Sequence, residues 1–155
     1  MLILIRHGEK SNKDAINLSK KGYQRADNLA IYLGDQKNIN IKIPEIIIAM
    51  KQHDNKSSNR PYETVYPLSK KLNLAIINDY TRNEISSLIK SLDKYKDKNV
   101  IICWEHEYLS KIASILLNKK LYWGLNPYSG KDSDDYDAIW IIENNNLTVY
   151  KQFET

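Results

Sequence analysis

The chain holds very little cysteine, glycine and proline: one Cys, five Gly and four Pro in 155 residues. A single thiol, Cys103, forms no internal disulfide. It lies in the apolar run 100–104 and reads as a buried, inert group. So few Gly and Pro residues exclude a fibrous or extensively disordered chain. There are three histidines, His7, His53 and His106, and no Cys/His cluster has the spacing of metal ligands. Long hydrophobic runs are missing too. The longest, such as Ile46-Ile47-Ile48-Ala49-Met50, are too short to span a bilayer. The first strand signal begins within two residues of the start, with no basic leader or cleavage site before it. We therefore expect a soluble, cytoplasmic protein with no membrane partner, no metal and no cofactor.

What is present is an ordinary globular mixture, 42% hydrophobic and 27% charged. The length suffices for one domain, over 1–155, with a sizeable core. Net charge is +4, but the lysines are scattered among Asp, Asn and Ser. That pattern is a solvated surface, not a nucleic-acid footprint, and it favours encounter with anionic substrates. No feature fixes an oligomeric state.

Apolar runs predict strands over 1–6, 45–50, 73–77 and 99–104. A final pair over 137–142 and 147–152 turns at Asn144-Asn145-Asn146. Helices are expected between them. The first follows Ser19 as N-cap, places Ala26, Leu29, Ala30 and Leu33 at helical spacing, and closes at Gly34 and Asp35. The second runs over 61–72, with Pro61 in its first turn and Arg60 at its edge. The third is capped by Thr81, with Glu84 in a capping-box position, and runs through 92. The fourth follows Glu105-His106-Glu107 and ends near 117. Residues 124–135 read as a polar surface loop. Strands alternating with helices predict an α/β fold, a three-layer α/β/α sandwich with a central, mainly parallel sheet.

The most informative segment is Ile3-Leu4-Ile5-Arg6-His7-Gly8. It sets an always-charged phosphate binder beside a possible nucleophile at the end of a strand. In open α/β sheets, ligands bind outside the carboxyl ends of strands. The planar fork of Arg fits phosphate oxygens. A neutral imidazole can attack phosphorus and hold the phosphoryl group covalently. His106 follows the fourth strand as His7 follows the first. Arg60 follows the second, at the head of a helix whose free N–H groups favour anions. The topology brings these ends to one edge of the sheet. Two arginines and two histidines around one point make a site of the size and charge of a phosphate.

Here the chain resembles the histidine phosphatase superfamily, also called phosphoglycerate mutase-like, over most of its length. The residues carrying the resemblance are Ile5-Arg6-His7-Gly8-Glu9-Lys10, then Leu18-Ser19-Lys20-Lys21-Gly22-Tyr23-Gln24-Arg25-Ala26, then Ser57-Ser58-Asn59-Arg60-Pro61-Tyr62-Glu63-Thr64, and Cys103-Trp104-Glu105-His106. Their order also agrees. The resemblance implies that His7 is the nucleophile and forms a phosphohistidine. Arg6, Arg60 and His106 would hold the phosphoryl oxygens and stabilise the charge that develops during transfer. A carboxylic acid would protonate the leaving oxygen. Glu107, beside His106, is similar to the His-acidic pair of one branch, and Glu84 stands roughly where another branch places its acid. Glu107 is placed first and Glu84 second, with Glu105 and Glu9 behind them.

The chain departs from the family in three places. Ala49-Met50 stands where a Ser often follows the second strand. The acidic, Gly- and Trp-containing segment after the third strand is absent. No insertion is large enough to form a cap domain. These departures weigh against a sugar-phosphate mutase. The expected activity is a metal-independent phosphatase acting on a phosphorylated small molecule or a phosphoprotein, as the short phosphohistidine phosphatases do. A non-catalytic phospho-ligand-binding module and a mutase are the alternatives. Specificity is expected in the loops 51–59, 79–86 and 120–135. His53 reads as an exposed loop residue and Trp123 and Trp140 as packing residues. Trp104 is divided between pocket and core. Asp134-Asp135-Tyr136-Asp137 reads as an acidic loop before a strand rather than a cation site.

Overall fold

The computed structural model describes residues 1–12, 15–54 and 57–155. The chain runs β1 (Leu2–Arg6), α1 (Lys20–Gly34), β2 (Ile46–Ala49), α2 (Arg60–Leu72), β3 (Ile76–Ile77), α3 (Ile85–Ser91), β4 (Val100–Trp104), α4 (His106–Leu117), β5 (Ala138–Glu143) and β6 (Asn146–Lys151). A short 3-10 turn, Leu92–Tyr95, extends α3.

The strands form a six-stranded sheet in the order β3-β2-β4-β1-β5-β6. β1 to β4 pair in parallel, while β5 joins β1 and β6 joins β5 in antiparallel fashion. Period-two alternation assigns each strand residue to one face. Ile3 and Ile5, Ile47 and Ala49, Ile101 and Cys103 meet Leu29, Leu33, Val65 and Leu68 of α1 and α2. Leu4, Ile48, Ile102 and Trp104 face the other way, onto Leu88 of α3 and Leu109, Ile112 and Ala113 of α4. The result is the expected α/β/α layering. Burying each of these Ile and Leu side chains contributes roughly 1.5–3 kcal/mol.

Several expected boundaries shift for local reasons. β3 begins at Ile76, because Asn73 takes the left-handed cap of α2 at φ 53° and Leu74 N–H donates to the Ser69 carbonyl. Residues 73–75 are spent closing the helix. α3 begins at Ile85, not Thr81: the Glu84 carboxylate reaches back to the Thr81 N–H and hydroxyl and closes a separate turn there. Gly34 is the last residue of α1, and Gln36 takes the positive φ of 49° beyond it. Ser19 does cap α1, its hydroxyl accepting the Gly22 N–H at 3.2 Å. The β5–β6 turn uses Asn144 and Asn145 at φ 52° and 62°, the left-handed conformation a two-residue hairpin needs.

Candidate active site

Register places β1 and β4 side by side, Arg6 opposite Trp104, so the loops leaving them start as neighbours. The His7 N–H donates to the Trp104 carbonyl at 3.2 Å. The Gly8 N–H donates to the Thr64 hydroxyl at 2.8 Å, and that hydroxyl donates to the Arg60 carbonyl at 2.7 Å. One chain of hydrogen bonds thus ties the β1 loop to the start of α2. Behind it, Glu9 receives a two-pronged pair from Arg25 at 2.7 and 2.8 Å. Burial raises the Glu9 carboxyl, but the Arg25 hydrogen bond and charge hold it below its usual range. Gly22 permits this docking, since a Cβ there would stand 2.3 Å from the Glu9 carbonyl oxygen.

His7 is buried, with 2% of its surface exposed. Its Nδ1 lies 2.7 Å from the Gly8 carbonyl oxygen, which can only accept, so Nδ1 carries the hydrogen. The lone pair is left on Nε2. Burial first, then the charges of Arg60, Arg6 and Lys10, pull the imidazole down to a pKa of about 3, against the Gly8 hydrogen bond. The ring is therefore neutral at physiological pH, the form that can attack phosphorus.

Arg6 is wholly buried. Its Nη1 donates to the Asp134 carbonyl at 2.7 Å and lies 2.9 Å from the Asp134 carboxylate. Tyr136 covers the guanidinium, its ring centroid 3.8 Å from Cζ, and stands edge-on to His7 at 6.1 Å. Arg60, also buried, donates through Nη1 to the Ala15 carbonyl. Arg6 Nε and Nη2 and Arg60 Nε have no hydrogen-bond partner among the described residues. An unpaired buried donor costs about 1–3 kcal/mol, and more when it is charged. Three such donors beside a neutral imidazole suit a multiply charged oxyanion. His106, the first residue of α4, is half-buried; burial and then Arg6 keep its imidazole below its ordinary pKa. Lys10 sits in the same field, its ammonium lowered by burial and by Arg60 and Arg6.

The carboxylates divide sharply. Glu84 is exposed, its carboxyl held low by the Thr81 hydrogen bonds, and the charges it meets are Lys51 and His53. Glu107 is exposed on the first turn of α4, where its charge supports protonation of His106. Glu105 instead lines a cleft of about 740 Å³ beside Arg60, Ser58, Lys51, His53 and Arg82. Its side chain is 17% exposed, with Oε2 3.6 Å from Arg82 Nη1.

Arg6, His7, Arg60 and His106 are brought to one edge of the sheet; Glu107 adjoins His106 with its side chain exposed, and Glu84 is exposed on its own turn. The sequence reading gave Lys10 no role in the site, took Asp134 and Tyr136 only as part of an acidic loop, and ranked Glu105 low. Asp134 and Tyr136 belong to 118–137, which has neither helix nor strand and hence no periodicity to place them. Trp104 belongs to the core, its indole N–H donating to the Arg82 carbonyl at 2.9 Å. Trp123 and Trp140 pack together at 4.8 Å. Part of the expected specificity loop, 55–56, lies outside the described residues. Among the described residues no group of three or more His, Cys, Asp or Glu side chains is placed to hold a metal ion. No described helix is long and apolar enough to cross a membrane.

No family model matches the sequence. No curated protein matches it either. Solved structures do match. A phosphoserine phosphatase mutant from Entamoeba histolytica, in complex with phosphoserine, aligns with a TM-score of 0.59 at 13% identity, covering 96% of this chain and 93% of its own. The protein histidine phosphatase SixA complexed with tungstate gives 0.57 at 16% identity, over 96% and 93%. A phosphoglycerate mutase from Plasmodium falciparum gives 0.57 at 18% identity, over 99% and 94%. At these identities the likeness is one of fold.

Proposed function

We propose that this chain, which has the histidine phosphatase fold, is a metal-independent cytoplasmic phosphatase. It hydrolyses a phosphomonoester or a protein phosphohistidine through a phosphohistidine on His7. The observation that carries this reading is the set of buried, unpartnered guanidinium N–H groups of Arg6 and Arg60 around a neutral His7. Structural arginines satisfy their donors within the protein; these reserve them for a ligand.

In the first step the Nε2 lone pair forms a bond to phosphorus as the bond to the leaving oxygen breaks. Arg6, Arg60 and His106 hold the three equatorial oxygens and stabilise the charge spread over them. Because Nδ1 is already bonded to the Gly8 carbonyl, the ring is oriented before substrate arrives. In the second step water attacks phosphorus and the electron pair returns to Nε2. Neither Glu84 nor Glu107 moves the proton in this reading, because both carboxylates are exposed to solvent.

The exposure of Glu84 and Glu107, the two carboxylates expected to supply the proton, favours a second reading, a phospho-ligand-binding module. Hydrolysis of para-nitrophenyl phosphate in chelator, compared between wild type and His7→Ala, separates the two. Turnover lost in the variant supports the phosphatase. Saturable phosphate binding without turnover in either protein supports the binding module. Transfer to an added alcohol in preference to water would indicate a mutase.

A further inference from the structure

Glu105 occupies the N-cap position of α4 yet makes no capping hydrogen bond. Its backbone is extended, at φ −77° and ψ 143°, and its side chain faces the cleft instead of the helix end. It follows Trp104, whose carbonyl receives the His7 N–H, and precedes His106. Among the groups acting on Arg60, Glu105 gives the largest support to its charge, and Lys10 feels it as well. Glu105 and Arg60 line the same cleft, and Arg60 Nε has no partner there among the described residues. The other carboxylate lining the cleft, Asp54, accepts the Ser57 N–H at 2.8 Å and is turned into its own loop. Asp134 is held on Nη1 of Arg6, with its side chain 83% exposed, and is not among the residues lining the cleft.

We propose that Glu105 is the general base for hydrolysis of the His7 phosphohistidine. This rests on the phosphatase reading. The Glu105 carboxylate takes a proton from the attacking water as the water oxygen bonds to phosphorus. The P–N bond breaks, and its electron pair returns to Nε2 of His7. Inorganic phosphate leaves, and Glu105 keeps the proton. In the next cycle that proton passes to the leaving oxygen of the new substrate as its bond to phosphorus breaks. The net change is one ester and one water consumed, and one alcohol and one phosphate released.

The test uses Glu105→Gln with para-nitrophenyl phosphate, whose phenolate leaves without an acid, so the second step is isolated. The expected result is a stoichiometric burst of para-nitrophenolate, then steady turnover about 10²-fold or more below wild type. Acid-labile, alkali-stable phosphate should accumulate on the protein. Arg82→Ala breaks the Glu105–Arg82 pair while leaving the carboxylate, and should not accumulate phosphoenzyme. The proposal is overturned if Glu105→Gln turns over like wild type, if it slows without burst or bound phosphate, or if Arg82→Ala reproduces the accumulation. In all three the wild type is active. A wild type with neither turnover nor bound phosphate would instead remove the phosphatase reading, and this proposal with it.

Discussion

Asp134 places its carboxylate 2.9 Å from Nη1 of Arg6, a wholly buried guanidinium. Nε and Nη2 of the same guanidinium have no partner among the described residues. An anion held there would share the Arg6 charge with Asp134 and be repelled by its carboxylate. Asp134→Asn is expected to lower KM and the inhibition constant of inorganic phosphate several-fold, with little change in kcat. The side chain is 83% exposed, so solvent screens the pair and the gain should shrink at high salt. Inhibition by phosphate at two ionic strengths checks this. Unchanged constants would mean that Asp134 does not oppose the ligand.

Arg6 and Arg60 present forks, not point charges. Arg6→Lys keeps the charge but offers no planar pair of donors, and its ammonium would be buried against Tyr136. The expected fall in kcat/KM is about 10²–10³-fold for Arg6→Lys and for Arg60→Ala. Steady-state kinetics with para-nitrophenyl phosphate provide the readout, with circular dichroism to confirm folding.

The pH dependence follows from His7. Its pKa falls from 6.5 in the unfolded chain to about 3 in the folded one. Between those values the unfolded chain binds a proton that the folded chain does not. Stability should therefore fall as pH drops from 6.5 toward 3, by up to about 1.4 kcal/mol per unit from this group. Above pH 6.5 the group contributes no slope. His7→Asn should flatten that acid limb in urea titrations at several pH values. For the same reason kcat/KM should show no inflection near 6.5 from His7.

Gly22 holds the β1 loop against α1. A Cβ there would meet the Glu9 carbonyl oxygen at 2.3 Å, and backbone cannot yield as a flexible side chain does. Gly22→Ala is expected to destabilise by about 1–3 kcal/mol and lower Tm by several degrees. It should also lower activity, because Glu9 and His7 share that loop. Thermal unfolding and turnover, measured together, check both effects.

How far the sequence reached follows from where order comes from. Arg6, His7, Arg60 and His106 stand at strand ends or helix starts, and alternating strands and helices bring such ends together. Ser19 and the Asn144-Asn145 turn were legible because capping and left-handed turns have specific residue preferences. Asp134 and Tyr136 were not, because they approach Arg6 from a loop with no period. The choice between Glu105 and Glu107 depended on which residue precedes the first turn of α4. The N-cap side chain turns to the cleft; the one two places on turns to solvent. Glu84 satisfied a capping pattern, but the pattern closed a turn and the helix began after it.

The most direct test of the central claim is to find the phosphoryl group on the protein. Wild type would be mixed rapidly with para-nitrophenyl phosphate, quenched in alkali, digested and analysed by mass spectrometry for phosphohistidine. The account predicts phosphate on the peptide containing His7, on that histidine and not on His106, and none in His7→Ala. Turnover in wild type with no phosphorylated His7, or undiminished turnover in His7→Ala, would contradict it.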